Sequence, residues 1–144
     1  MANEPFVIER EYDAPVKTVW KSITDEQAIK QWFMPFENFE PRVGCDFQFT
    51  AQHKGFTYVH HCRVTEVVPE QRLAYSWRYE GYEGDSLVTF ELFPLGERTR
   101  IKLTHAGLET FPKLPSFARE NFVAGWTSLI GDLLKAYVEK QGAK

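Results

Sequence analysis

Several features that mark whole classes of proteins are scarce in this chain of 144 residues. Two cysteines are too few for a disulfide-rich scaffold, and no uninterrupted apolar stretch approaches the roughly 20 residues that span a bilayer. With a net charge of −3 and no cluster of Lys and Arg, the chain offers no basic surface for nucleic acid. The first ten residues lack the basic segment and apolar run of a signal peptide. We therefore expect a cytoplasmic protein with reduced thiols and without a membrane span.

Familiar catalytic and cofactor motifs are absent as well. The sequence contains no G-x-S-x-G, H-E-x-x-H, P-loop or G-x-G-x-x-G pattern. No pair of carboxylates can be placed together from the sequence. The sequence motifs therefore identify neither a catalytic residue nor a cofactor, and we predict none from them.

What the chain does have is aromatic side chains, because 12 Phe, 6 Tyr and 4 Trp make up 15% of it. Aromatic rings bring large apolar area and stiff shapes, so they either fill a core or line a pocket for an apolar ligand. Composition leaves both interpretations open. The length suits one well-buried core and is short for two, which predicts a single domain over residues 1–144.

The residue pattern predicts a strand, two short helices and then an antiparallel sheet. The segment FVIEREYDA has the branched and aromatic residues of a strand, and Pro15 suits the first turn of the helix that follows. Thr24 or Asp25 can cap a second short helix that runs to about Trp32, before Pro35. Apolar residues then alternate with period two in five runs, separated by turn-like segments: 45–51, 57–68, 71–79, 86–94 and 98–105.

A long helix is predicted after the proline-marked loop FPKLP. Its broad apolar stripe needs a curved apolar surface to lie on, and the predicted sheet supplies one. Gly125, inside this helix, indicates either a close approach of the helix backbone to another element or a tolerated loss of helix stability. The predicted stripe consists of Phe122, Trp126, Leu129, Ile130, Leu133 and Tyr137.

Four segments between Ala14 and Glu139 resemble one known family: APVKTVWKSITDEQAIKQWF, RVTEVVPEQRLAYSW, VTFELFPLGERTRIKLTHAGL and GWTSLIGDLLKAYVE. Each is similar to the family named after the C-terminal domain of the activator of the heat-shock protein 90 ATPase, within the START-like (SRPBCC) superfamily. The resemblance implies an α+β helix-grip fold. In that fold a curved antiparallel sheet of about six or seven strands wraps a long C-terminal helix, and two short helices follow strand 1.

Loop lengths predict the register of the sheet. A four-residue loop at QHKG places Ala51 opposite Phe56, and a hairpin closed by VPEQ places Val64 opposite Tyr75. The same arithmetic pairs Cys45 with Cys62, Phe47 with His60, Phe49 with Tyr58, and Cys62 with Trp77. Two faces result. The concave face carries Phe47, Phe49, Val64, Tyr75 and Trp77, and the outer face carries Gln48, His61, Arg63 and Arg78.

The stretch YVHHCRV leaves two interpretations open. Cys45, His60 and Cys62 could converge on the concave face as a three-ligand metal site or a redox pair, although zinc usually takes four ligands, or three plus water. The resemblance favours a simpler account, because both cysteines replace small residues of the family pattern and a buried free cysteine behaves as a small hydrophobe. We favour the second interpretation, a pocket wall without a metal ion.

His105 ends the last strand on the face of Thr99, Ile101 and Leu103, so we expect it to point inward. An inward histidine can hydrogen-bond a ligand or act as an acid–base group. A core histidine bonded to backbone or water is the alternative, and it is the one we favour.

Three functions fit these patterns, and the first is preferred: binding of one small apolar or amphipathic molecule in the cleft between sheet and helix. The family name suggests a second, a co-chaperone-like interaction with the heat-shock protein 90 ATPase. The third is a START-like cyclase or hydrolase with His60 or His105 as its acid–base group. The oligomeric state is not indicated. The residues predicted to line the cleft are Trp32, Phe47, Phe49, His60, Tyr75, Trp77, Phe90, His105, Phe122 and Trp126.

Overall fold

A computed structural model describes residues 4–53 and 55–142 of the chain. Six strands form one antiparallel sheet in the spatial order β1–β6–β5–β4–β3–β2. Along most of the strands buried residues alternate with more exposed ones, and the buried residues form one core with residues of the helices. The strands are β1 (Phe6–Tyr12), β2 (Asp46–His53), β3 (Phe56–Val68), β4 (Arg72–Tyr79), β5 (Ser86–Leu95) and β6 (Arg98–Ala106).

The helices occur in two places along the chain. Between β1 and β2 lie α1 (Val16–Thr24) and α2 (Glu26–Trp32). After β6 and two short 3₁₀ turns (Leu108–Thr110 and Pro115–Phe117), three segments follow one another without a break and are called the C-terminal helix here. They are α3 (Arg119–Ser128), a π-helical segment (Leu129–Leu133) and α4 (Leu134–Gly142). The predicted α+β helix-grip fold is confirmed, with six strands.

Local signals explain the boundaries of the two short helices. Pro15 directly precedes α1 in an extended conformation, with φ −71° and ψ 157°. At the start of α2 the backbone N–H of Gln27 donates to the Asp25 carboxylate (3.3 Å), so Asp25 is the capping residue that the sequence offered. The helix ends at Trp32, as predicted.

The predicted register of β2 and β3 is wrong by two residues. His53 pairs with Phe56, so the hairpin is tighter than the four-residue loop that we assumed, and Gly55 takes a positive φ of 85° there. As a result Phe47 lies opposite Cys62 and Phe49 lies opposite His60. Because side chains alternate with period two, a shift of two residues leaves every one of them on its predicted face. Cys45 faces Val64 instead of Cys62, as the hydrogen bond from Val64 N–H to the Cys45 carbonyl (2.9 Å) shows.

The β3–β4 register is confirmed in its central part. Val64 pairs with Tyr75, and His61 pairs with Arg78 in the same register. A bulge between Val64 and Glu66 then shifts the pairing by one residue, so that Val68 pairs with Arg72. The turn is one residue longer than VPEQ implied, and Glu70 adopts a positive φ of 62° in it.

The apolar stripe of the C-terminal helix differs from the prediction in its second half. Phe122, Trp126 and Ile130 are buried as expected, but Leu133 is 49% exposed, and Leu134 and Val138 take the inward positions. The π-helical segment Leu129–Leu133 explains the change, because a π turn contains one more residue than an α turn and advances the stripe by one position. Within this segment the carbonyl oxygen of Ile130 accepts a hydrogen bond from the buried Tyr12 hydroxyl.

The glycine at position 125 does not mark a close approach. A Cβ added to Gly125 meets nothing within 4 Å, so the close-approach interpretation is wrong there. Gly131, in the same helix, is not tight either, because an added Cβ would lie 3.4 Å from Nε of Arg10 on β1, which is ordinary van der Waals contact. Among the described residues, none of the helices has the length and apolar character needed to cross a membrane.

Candidate functional site: an aromatic interior beneath a lid

The ten residues predicted to line the cleft all lie in one connected interior, between the concave face of the sheet and the C-terminal helix. Each of them is buried. Trp77 joins them, because its ring contacts those of Phe49, His60, His105 and Trp126 at centroid distances of 5.2, 5.0, 5.2 and 5.6 Å. We call this set the aromatic interior: Trp32, Phe47, Phe49, His60, Tyr75, Trp77, Phe90, His105, Phe122 and Trp126.

Three phenylalanines after α2 also belong to this interior, and the sequence pattern missed them. Phe36 stacks on Phe47 and on Phe49, both at 5.0 Å, while Phe33 meets Trp126 edge-on at 5.9 Å. Phe39 packs against Phe47 at 4.9 Å. The segment has no helical or strand period, so only its density of aromatic letters signalled a buried role.

His105 is held by a chain of hydrogen bonds inside the protein. Nε1–H of Trp126 donates to Nδ1 of His105 (2.9 Å), so this nitrogen must be the unprotonated one. The other nitrogen, Nε2, then carries the proton and donates to Oγ of Ser86 (2.8 Å), whose hydroxyl donates to the Trp77 carbonyl (2.9 Å). Burial lowers the pKa of His105 to about 3. Both nitrogens are therefore engaged with protein groups, although the partners are side chains and not the backbone or water of our prediction.

His60 lies in the same interior but differs in its hydrogen bonding. Its ring stacks on Phe49 at 4.1 Å and contacts Tyr79 at 4.6 Å. Burial lowers its pKa to about 4, and this outweighs the nearby carbonyls of Phe49 and Tyr58, which favour the protonated ring. Nδ1 of His60 is buried and has no hydrogen-bond partner, alone among the buried side-chain nitrogens and oxygens of the described residues.

One end of the aromatic interior is covered by residues 107–118, which we call the lid segment. Phe117 of the lid contacts Tyr79 at 4.8 Å, and Phe111 contacts Tyr79 at 5.1 Å. The lid segment contains only the two 3₁₀ turns, and its role was not predicted, since the sequence marked it simply as a proline-containing loop. Tyr58 on β3 closes the same end, with its hydroxyl 2.6 Å from Oγ of Ser116.

The lid segment packs tightly against the β4–β5 connection. Gly84 has a positive φ of 111°, and a Cβ added to it would lie 2.5 Å from Cδ1 of Phe111. Next to it, the backbone N–H of Asp85 donates to Oγ1 of Thr110 (2.9 Å). A side chain at position 84 would therefore displace the lid.

The three candidate metal ligands do not form a site. Cys45 faces a loop, where Glu40 N–H donates to its Sγ (3.3 Å) and the thiol donates to the Asn38 carbonyl (3.1 Å). Both cysteines are buried free thiols, and burial raises the pKa of Cys62. Over residues 4–53 and 55–142, no group of three or more His, Cys, Asp or Glu side chains could hold a metal ion. The interpretation as a pocket wall fits these positions.

A separate groove of about 550 Å³ lies on the outer face of the sheet, and its lining includes all four residues that we predicted to face outward. Its charges are partly compensated, because Arg63 donates to both carboxylate oxygens of Asp46 at 2.7 and 3.1 Å. The groove is open to solvent and has no contact with His60. We therefore take the aromatic interior as the candidate site.

Comparison with known proteins agrees with this fold. Among solved structures, CV1439 from Chromobacterium violaceum is 28% identical, with a TM-score of 0.78 over 96% of this chain and 99% of that one. Mll3558 from Rhizobium loti is 26% identical, with a TM-score of 0.80 over 93% and 96% of the two chains. CalU16 from Micromonospora echinospora is 28% identical, with a TM-score of 0.69 over 93% and 73%. None of the curated proteins matches the chain.

A family model described as "Activator of Hsp90 ATPase homolog 1-like protein" matches residues 13–139, which is most of the chain. The four motifs that carried the resemblance fall within that range or at its edge. The chain therefore belongs to the family of activator of Hsp90 ATPase homolog 1-like proteins, within the START-like superfamily.

Proposed function

We propose that this protein binds one small apolar or amphipathic molecule in the aromatic interior, and that the molecule enters beneath the lid segment. The observation that carries the proposal is the way in which the interior is closed. At the end near Tyr79 its cover includes two phenyl rings, Phe111 and Phe117, on a segment without a strand or a long helix. Such a cover can move while the rest of the fold stays in place.

Many of the contacts that hold the lid segment are between aromatic rings, and an apolar ligand can replace contacts of that kind. Exposing a buried phenyl ring to water costs about 1.5–3 kcal/mol, so an open, empty interior is unfavourable. An apolar molecule placed against Tyr79 restores the lost contact and lowers that cost. Opening also breaks the Tyr58–Ser116 and Asp85–Thr110 hydrogen bonds, but it leaves all six strands and the C-terminal helix paired as they are.

Partly exposed apolar side chains at the lid end of the interior are a second supporting feature. Tyr82 contacts Phe117 at 4.9 Å and Tyr58 at 5.9 Å, yet it is 38% exposed. Leu114, in the lid segment, is 46% exposed. Apolar side chains that remain in water at the edge of a covered interior suit the capture of an apolar molecule.

Native mass spectrometry of the freshly purified protein, followed by titration with apolar probes, tests the proposal. We expect either an excess mass of a few hundred daltons that is lost on denaturation, or a saturable change in tryptophan fluorescence on adding a neutral probe such as naphthalene or 2-naphthol. Trp77 and Trp126 line the interior and would report the binding. A bare chain mass together with no saturable fluorescence change for any probe would overturn the proposal.

A further inference from the structure

The unpartnered nitrogen of His60 calls for an explanation, because a buried polar atom without a hydrogen bond destabilises the folded protein. The comparison with His105 sharpens the point. Both histidines are buried in the same interior and share Trp77 as a ring neighbour. His105 has a partner at each nitrogen, whereas Nδ1 of His60 has none. The fold can therefore supply hydrogen-bond partners to a histidine at this depth. Burial by itself does not explain why Nδ1 of His60 lacks one.

The surroundings of His60 restrict what could bind there. Its ring lies flat on Phe49 at 4.1 Å with an interplanar angle of 13°, and Trp77 meets its edge at 86°. Its ring neighbours are Phe49, Trp77 and Tyr79, none of which is charged, and burial keeps the ring itself neutral by lowering its pKa. A ligand group that carries a full charge would find no countercharge here and would lose its hydration.

We infer that His60 is the polar contact of the aromatic interior, and that the ligand is a neutral, planar aromatic molecule with a hydroxyl group bound to Nδ1. This inference rests on the proposed function. A neutral imidazole presents Nδ1 as a donor or as an acceptor, according to its tautomer, and a hydroxyl group can satisfy either one. The aromatic walls favour a planar ring system, which packs against their faces and edges.

The position of His60 relative to the lid segment agrees with its assignment as the polar contact. Tyr79 is the ring between the lid phenyls and His60, with centroid distances of 4.8 Å to Phe117 and 4.6 Å to His60. A molecule that takes the place of Phe117 has one ring between it and His60. A molecule of two fused rings that enters from the lid would have to displace Tyr79, whose hydroxyl accepts from Nε1–H of Trp77 (2.9 Å), before it meets His60.

Paired probes with and without the hydroxyl test the inference. Titrated into the wild-type protein, 2-naphthol should bind about fivefold more tightly than naphthalene, because one neutral hydrogen bond contributes on that order. In His60→Phe, which keeps a ring on Phe49 but has no nitrogen, the affinity for 2-naphthol should fall to that for naphthalene. The matched control is His61→Gln on the outer face of the same strand, and it should keep the wild-type preference.

A spectroscopic measurement on the wild-type protein makes the test independent of the variant. Two-bond ¹H–¹⁵N correlation spectra report the hydrogen bonding of each imidazole nitrogen, so 2-naphthol should shift the His60 Nδ1 resonance and naphthalene should not.

The outcomes separate the two proposals. If neither probe binds the wild-type protein at any accessible concentration, this inference falls, and the proposed function falls with it when the freshly purified protein also shows the bare chain mass. If both probes bind equally and the His60 resonance does not move, the interior binds apolar molecules but His60 is not its polar contact.

Discussion

At the scale of single residues, the two buried histidines show how strongly neighbours decide what one side chain does. Nδ1 of His105 accepts from Trp126, and this fixes the tautomer and makes Ser86 the necessary partner of Nε2. The chain of bonds joins β4, β5, β6 and the C-terminal helix at one point. His105 therefore ties the helix to the sheet, a structural role that suits a buried neutral imidazole better than proton transfer does.

Substituting Ser86 by alanine should destabilise the protein. The change leaves Nε2–H of His105 and the Trp77 carbonyl without their partner in a buried place, which costs about 1–3 kcal/mol. Ser128→Ala is the matched control, because Ser128 is exposed on the C-terminal helix and should change stability by less than about 0.5 kcal/mol. Urea unfolding measures both free energies. Equal stabilities of the two variants would contradict the hydrogen-bond chain.

At the scale of elements, the π-helical segment decides which side chains the C-terminal helix buries. A regular α-helix would place Leu133 on the stripe of Phe122 and Trp126, as the sequence predicted. The wider turn instead buries Leu134 and leaves the Ile130 carbonyl to accept the Tyr12 hydroxyl. That tyrosine lies on β1, far away in sequence. The helical period alone therefore gave no sign of the shift.

Two alanine substitutions one residue apart test this arrangement. Leu134→Ala removes a fully buried side chain and should cost about 2–5 kcal/mol. Leu133→Ala removes one that is 49% exposed and should cost well under about 1 kcal/mol. Both changes keep the helix propensity equal, so the difference in unfolding free energy measures burial. If Leu133→Ala cost more unfolding free energy than Leu134→Ala, the buried stripe would be that of an uninterrupted α-helix.

The lid segment is the other element whose behaviour can be tested by a matched pair, Gly84→Ala and Gly81→Ala. Both glycines lie in the β4–β5 connection with positive φ, so each alanine should lose about 1–2 kcal/mol through backbone strain. An added Cβ meets Phe111 at 2.5 Å in the first case and nothing within 4 Å in the second. Only Gly84→Ala should therefore loosen the lid, which amide hydrogen exchange of residues 107–118 would detect. Equal exchange in the two variants would mean that this contact does not hold the lid.

At the scale of the whole molecule, the features that sequence could predict are those that repeat. The period of two placed the seven cleft residues that lie on strands in the interior, and it did so despite a wrong β2–β3 register, because a two-residue shift preserves the faces. The features that it missed depend on single tertiary contacts. Phe36, Phe111 and Phe117 lie in segments without a period. The ring neighbours of His60 and the hydrogen-bond partners of His105 come from other strands and a helix.

Stability of the whole molecule should fall as the pH decreases below 6.5, because both interior histidines stay neutral in the folded state. Burial lowers the pKa from 6.5 to about 4 for His60 and to about 3 for His105. Between these values and 6.5 the unfolded chain binds more protons than the folded one, so acid favours unfolding. Each histidine contributes a slope of up to about 1.4 kcal/mol per pH unit. Urea unfolding between pH 7.5 and pH 5 measures the sum.

The variant His60→Phe separates this effect from the titration of carboxylates. With one buried histidine left, it should lose about half as much stability as the wild-type protein over the same range. Hydrogen bonds from Arg63 and Lys135 lower the pKa of Asp46 and Glu139 respectively, so the contributions of these carboxylates are lost only as the pH falls below their usual values of 3.8 and 4.5. His61→Gln, on the outer face, should leave the interior contribution intact. A stability that does not change between pH 7.5 and pH 5 would mean that the histidines become protonated without unfolding, and hence that the interior around them is open to water.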